Sequence, residues 1–212
     1  IQQGETFTCY MRELDSVAID IPVGYWKDSP WDFCKLGCCH PVVWNAVFCP
    51  LIALGQIQTR INLDFLGRPR FGDAPVSNRF MMLSVILFWG MTNVGLFAVC
   101  NLKWSHGIEL SLPDICAIAL INVAMFGFIA FVTQSTRSSL RDNFMIREER
   151  CFDLEDLCCA ALCLPCTVGQ MNRHTANYEA YEAVCCSKTG LPNDVRVNQA
   201  SYRDREADGY VV

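Results

Sequence analysis

A chain of 212 residues that is 52% hydrophobic and only 18% charged is too apolar for an ordinary aqueous domain, and its mean hydropathy of +0.21 says the same. A net charge of −5 offers no basic surface for neutralising phosphates, so nucleic acid is not an expected partner. Fourteen cysteines stay below the roughly 8–10% of residues that marks a small disulfide scaffold, so cysteine count alone does not fix the redox compartment.

In chain order, residues 1–33 read as an acidic arm. Glu5, Glu13, Asp15, Asp20, Asp28 and Asp32 stand against Arg12 and Lys27, and Pro22 and Pro30 interrupt the segment, which predicts an extended, solvated chain. Residues 34–174 read as a Cys-rich membrane domain. Within it, 80–102 and 115–136 contain no Asp, Glu, Lys, Arg or His. At about 1.5 Å per helical residue they reach roughly 35 and 33 Å, enough for a hydrocarbon core of about 30 Å. The linker 103–114 is short, so the spans form an antiparallel hairpin with both chain ends on one side. Arg60, Arg68, Arg70 and Arg79 precede the first span and Arg137, Arg141, Arg147 and Arg150 follow the second, while the linker holds only Lys103. That asymmetry puts both termini in the cytosol or an equivalent reducing compartment. Residues 175–212 read as a helix over 176–184 and a polar tail over 191–212.

The topology places the cysteines. Cys9, Cys34, Cys38, Cys39 and Cys49 before the hairpin, and Cys151, Cys158, Cys159, Cys163, Cys166, Cys185 and Cys186 after it, lie on the reducing side. Structural disulfides are disfavoured there, leaving metal ligation, lipidation or burial. Cys100 and Cys116 sit at the far ends of the spans, where they are either bridged or apolar filler. Asn93 and Asn122 fall at nearly the same depth, which predicts an interhelical hydrogen bond, with a contact between subunits or a polar path lining as alternatives. Gly90, Gly95 and Gly127 permit close helix approach without forming Gly-x3-Gly.

Two further uncharged segments, 41–58 and 157–172, are too short to cross and suit interfacial or re-entrant helices. They resemble each other: Cys49-Pro50-Leu51-Ile52-Ala53-Leu54-Gly55-Gln56-Ile57 and Cys163-Leu164-Pro165-Cys166-Thr167-Val168-Gly169-Gln170-Met171 both read Cys-x5-Gly-Gln-apolar. Cys38-Cys39 precedes one and Cys158-Cys159 the other, which suggests an internal duplication. Pro50 and Pro165 are expected to break a helix through either segment. On a helix Cys159, Cys163 and Cys166 share a face, and Cys163-x2-Cys166 has zinc-ligand spacing. Candidate metal residues are therefore Cys158, Cys159, Cys163 and Cys166, with Cys38 and Cys39, beside Cys34 and His40, as a matching group and His174 as a completing ligand. Thiolates select soft cations such as Zn, Cd or Cu(I). S-acylation of the cysteine pairs and a packed foot without ligand are the alternatives. Asp153, Glu155 and Asp156 read as helix N-terminal charges or as a cation-gathering entrance. No phosphate-binding Gly loop, Gly-x-Ser-x-Gly or His-Glu-x2-His occurs, and no enzyme activity is expected.

Trp31-x2-Cys34, Cys38-Cys39, Cys49-Pro50, Gly55-Gln56, the hydrophobic hairpin, Arg137-x2-Leu140-Arg141-x2-Phe144, Cys151-x-Asp153, Cys158-Cys159-x3-Cys163-x2-Cys166 and Gln170 together resemble the placenta-specific-eight family, which includes plant cadmium-resistance, cell-number-regulator and cornifelin proteins. The resemblance runs from Trp31 to His174. Cys49-Pro50-Leu51 departs from the family's Cys-Pro-Cys cluster, and the linker 61–79 is an elaboration. The resemblance implies an integral membrane protein, often homo-oligomeric, concerned with zinc or cadmium efflux, calcium influx or growth control.

The expectation is thus an all-α membrane protein: a two-helix transmembrane hairpin flanked by two short Cys-rich interfacial or re-entrant helices. It would sit in the plasma membrane with both termini cytosolic, or else in an organelle membrane. A two-helix hairpin cannot enclose a pore alone, so divalent cation transport (Zn, Cd or Ca) requires a homo-oligomer. The rival expectation is a non-catalytic scaffold subunit of a larger membrane assembly, whose faces 85–97 and 118–129 meet partner helices, lipid or pigment.

Overall fold

The computed structural model describes residues 18–19, 21–70, 78–109, 111–147, 155–185, 187–192 and 195–197. Cys9, Cys151, Cys186, Asp153, the acids Glu5, Glu13, Asp15 and Asp20, and the end of the tail lie outside the described residues.

Two long helices carry the uncharged stretches: α3 (Asn78–Ser105) and α4 (Leu112–Phe144). Both are long and apolar enough to cross a membrane. Ser111 and Asp114 start α4 with a reciprocal cap in which each satisfies the other's backbone N–H, and Pro113 occupies the first turn, where its missing donor is not needed. Lys103 Nζ reaches Asp114 at 2.7 Å and closes the turn between the helices. Mid-hairpin, Asn122 Nδ2 donates to Asn93 Oδ1 at 3.0 Å, and Asn93 Nδ2 donates to the Trp89 carbonyl at 2.9 Å. An added Cβ at Gly90, Gly95 or Gly127 would meet open space, so the hairpin does not use them for close packing.

At roughly 42 and 50 Å, both helices exceed a bilayer core of about 30 Å, and the surplus of α4 lies beyond Thr136. That surplus is where α4 buries itself: Ala130, Val132, Thr133, Thr136, Arg137, Leu140 and Phe144 are its buried residues. In α3 only Asn78 and Met82, near its start, are buried. Val85, Ile86, Met125, Phe128 and Ile129 pack partly on the core, while many other apolar side chains, such as Phe88, Met91, Phe97, Leu120 and Val123, face outward. The hairpin therefore stands out from a packed base with bare hydrocarbon surfaces, the pattern of a chain solvated by lipid.

The base is built from two helix–cysteine–helix corners. The first is α1 (Pro41–Phe48) and α2 (Pro50–Arg60), joined at Cys49 and bent by 114°. The second is α5 (Glu155–Leu162) and α6 (Leu164–His174), joined at Cys163. Each has 8 residues, one cysteine and 11 residues, with Cys49 at φ −134°, ψ 53° and Cys163 at φ −143°, ψ 72°. Pro50 and Pro165 fall in the first turn of the second helix, so the helix ends before them as the missing N–H requires. The glycines of the repeated motif permit close approach: a Cβ at Gly55 would lie 3.2 Å from the Arg79 backbone, and one at Gly169 would lie 3.1 Å from the Phe33 ring. α2 packs along α3, α5 along α4, and both α1 and α2 against α6.

Two expectations are corrected. The acidic arm is only partly solvated over its described part: Tyr25, Trp31 and Asp32 are exposed, but Ile21 and Asp28 are buried, and Trp26 and Phe33 pack on the core. Residues 176–184 do not form a helix; Asn177 Oδ1 accepts the Glu179 N–H and its carbonyl accepts those of Ala180 and Tyr181, a local turn that competes with helix. A two-residue parallel pairing, Ala18–Ile19 with Arg196–Val197, is added to the helices.

Candidate functional site

The second corner frames a cavity of about 500 Å³ beside the foot of α4. Cys158, Cys159, Cys163 and Cys166 line it from α5 and α6; Tyr25, Trp26, Asp28 and Trp31 line it from the N-terminal segment. Arg137, 1% exposed, also lines it, and its position directly after the uncharged stretch carries it into the base. Its Nε donates to Asp156 Oδ1 at 2.8 Å, NH2 reaches Glu155 at 3.3 Å, and NH1 donates to the Gln170 side chain. The guanidinium also lies 4.4 Å from the centre of the Trp26 ring. Arg141 NH1 takes the other Asp156 oxygen at 2.7 Å. Gln170 Nε2 donates to the Asp28 carbonyl at 2.8 Å, which pins the arm to the corner.

The first corner repeats the plan with other partners. Gln56 Nε2 donates to the Cys185 carbonyl at 2.8 Å and its Oε1 accepts from Asn45 Nδ2 at 3.0 Å. Arg60, also 1% exposed, donates to Asn172 Oδ1 at 2.8 Å, Thr175 Oγ1 at 3.0 Å, the Tyr178 hydroxyl and the Thr189 carbonyl, all neutral oxygens. In both corners the Gly-Gln pair thus admits a close neighbour, the Arg79 backbone at Gly55 and the Phe33 ring at Gly169, and captures a carbonyl from a remote segment.

The sequence-selected cysteines divide. Cys158, Cys159, Cys163 and Cys166 share the cavity, whereas Cys38 and Cys39 are exposed and do not line it. Cys163 and Cys166 are joined by a disulfide with Cα atoms 5.4 Å apart, contrary to the expectation of free thiols on this side. Cys158 and Cys159 are free; burial pushes the Cys159 thiol up. Among the described residues no group of three or more His, Cys, Asp or Glu is arranged to hold an ion. Cys34 and Cys38 interact, and the hydrogen bond that the Cys34 thiol donates to Cys38 pushes Cys34 up. His40 is spent as the cap of α1, accepting from the Val42 N–H at 3.3 Å. Cys100 and Cys116 are free thiols, so no bridge joins the far ends of the spans. Glu155 and Asp156 do stand in the first turn of α5, but their partners are Arg137 and Arg141 rather than a cation entrance.

Asp28 faces two opposing effects. Burial would raise it, but Lys35, Arg173 and Lys27 outweigh that and hold its carboxyl below the usual range. His174 is buried between Trp26 and Phe144, with its Nδ1 accepting the Lys27 N–H at 3.2 Å. Burial first, then the Lys27 and Arg137 charges, push its pKa from 6.5 to about 4, so it is a neutral core residue, and it does not line the cavity. An unfolded imidazole takes its proton near 6.5, while the folded one resists until about 4. Between those values the unfolded state binds more protons, so stability is expected to fall as pH drops through that window and to level off below it. The loss amounts to about 3 kcal/mol at most. Denaturant unfolding from neutral to mildly acidic pH measures this, and His174→Gln should flatten the curve; an equally flat curve for the unaltered chain would contradict it.

Sequence reasoning missed Trp26, Asp28 and Arg60 as parts of the base. A signal existed for Arg137: with Leu140, Arg141 and Phe144 it repeats at helical spacing, and that face of α4 carries three of the buried residues.

The fold and site define an all-helical protein with two membrane-length helices rising from a cysteine-rich base. Residues 26–174 match the PLAC8 family, and the chain belongs to that family. The matched segment begins at Trp26 on the cavity wall and ends at His174, so it encloses both corners and the hairpin. No curated protein and no solved structure matches the chain.

Proposed function

We propose that the protein is a non-catalytic, homo-oligomeric membrane protein of divalent cation homeostasis, taking Zn or Cd as transported substrate at the thiols of the base. The hairpin spans the plasma membrane, both termini are cytosolic, and the two corners lie at the cytosolic interface as interfacial or re-entrant helices. One observation carries the reading: four cysteine side chains, Cys158 and Cys159 from α5, Cys163 at the junction and Cys166 from α6, line a single cavity. Family membership and the bare hairpin faces, which suit self-association in lipid, support it.

The test is zinc binding to the reduced full chain in mild detergent. Outer-shell partners alone change metal affinity about 10–100-fold, so replacing Cys158, Cys159, Cys163 and Cys166 together by serine is expected to weaken binding about 100-fold or more. Retained far-UV circular dichroism would show that the fold survives, and unchanged affinity would discard the reading. The same bare faces also suit a scaffold subunit of a larger assembly. Isolation of one copy among different chains would favour that alternative, and a ring of identical copies the transporter. Exposed Cys38 and Cys39 are the thiols best placed for S-acylation, which hydroxylamine-sensitive labelling reads.

A further inference from the structure

We propose that Cys163 and Cys166 are a reversible redox couple that exchanges with glutathione-class thiols and switches the cavity between two free thiols and four. The consequence for metal rests on the soft-cation reading of the same cavity; the exchange itself does not.

The two corners supply an internal control. They have the same helix lengths and nearly the same backbone at the junction cysteine, yet the position three residues after Cys49 is Ile52 whereas the position three after Cys163 is Cys166. The first corner bends without any sulfur bond, so the second does not need one to keep its shape. A bridge between residues three apart also closes a very short loop, which constrains the unfolded chain little. What the extra thiol adds is therefore chemistry rather than architecture.

The setting suits exchange. The Cα separation of 5.4 Å lies within the ordinary range for a bridge, so the bond can form without moving the backbone. Both residues are half-buried and line the cavity, where a small thiol can reach them. Thr167 Oγ1 donates to the carbonyls of Cys159 at 2.8 Å and Cys163 at 3.0 Å, which holds the frame whether or not the sulfurs are joined. The basic residues flanking the hairpin assign this side to a compartment stocked with reductant.

The exchange balances as follows. A glutathione thiolate attacks one sulfur of the pair, the Cys163–Cys166 bond breaks, and the departing sulfur keeps the electron pair and takes a proton from water. A second glutathione attacks the mixed disulfide, freeing the other cysteine and leaving as oxidised glutathione. One protein disulfide and two small thiols become two protein thiols and one small disulfide.

The full chain in mild detergent is equilibrated over ratios of reduced to oxidised glutathione, alkylated with a maleimide and read by mass spectrometry, with zinc affinity measured alongside. The expected result is that Cys163 and Cys166 become reactive together, in one two-thiol step, and that reduction tightens zinc binding about 10-fold or more. Cys166→Ser should make zinc affinity independent of the glutathione ratio. Ile52→Cys should create a second two-thiol step with Cys49, because the first corner has the same geometry. Alkylation of both cysteines at every ratio, or of neither under excess phosphine reductant, would overturn the couple. Equal zinc affinity of both forms would overturn the switch. Zinc bound by neither form, with the two-thiol step intact, would sink the soft-cation reading and leave the couple standing.

Discussion

Arg137→Ala is expected to destabilise the base by about 3–5 kcal/mol, because it removes the cation from a buried network and strands its partners. Asp156, 5% exposed, would keep only Arg141, and Gln170 Oε1 would lose its donor while Trp26 loses the charge over its ring. These groups come from α4, α5, α6 and the N-terminal segment, so one side chain ties the span to the second corner and to the arm. Arg137→Lys should recover part of the loss: it restores charge but not the fork that serves Asp156, Glu155 and Gln170 at once. Unfolding in detergent, followed by tryptophan fluorescence, measures both. A change below about 1 kcal/mol, the range of an exposed pair, would contradict the network.

Gly67→Ala is expected to have a comparable effect for a steric reason. Gly67 has φ +82°, and an added Cβ would lie 2.6 Å from the Thr136 backbone nitrogen. The left-handed backbone costs an L residue about 1–2 kcal/mol and forced repacking about 1–3 more, giving roughly 2–5 kcal/mol in all. The loop that carries Gly67 is fastened to α4 where its uncharged stretch ends: Ser139 Oγ donates to the Gly67 carbonyl at 2.6 Å, and Gln58 Nε2 donates to Thr136 Oγ1 at 3.0 Å. Displacing it should also loosen α2 from α4. Gly90→Ala in the hairpin is the control, since open space surrounds that position and no loss is expected. Equal unfolding midpoints for Gly67→Ala and the unaltered chain would show that the loop does not bear on α4.

The hairpin was legible because spanning a bilayer imposes a length and forbids charge, and both marks are local in the chain. The depth match of Asn93 and Asn122 followed from the same geometry, and the structure puts their amides in contact. The corners were foreshadowed by the repeated Cys-x5-Gly-Gln pattern and by Pro50 and Pro165, whose effect on a helix is also local. The base was not legible, because its decisive contacts join remote segments: Gln170 to Asp28, Arg60 to Asn172, Lys27 to His174. Composition marked the arm as polar, yet Asp28 is buried because Lys35 and Arg173 meet it there. Metal-ligand spacing identified Cys163 and Cys166 as neighbours, but spacing is the same for a thiolate pair and for a disulfide.

Sided thiol labelling of sealed vesicles tests the account most directly. A membrane-impermeant maleimide applied from the cytosolic face should modify Cys158, which is exposed beside the cavity, and leave Cys116 untouched; applied from the other face it should modify Cys116 and leave Cys158 untouched. Modification of both cysteines from the same face would mean that the helices do not cross, and that the thiol-lined cavity is not the foot of a membrane hairpin.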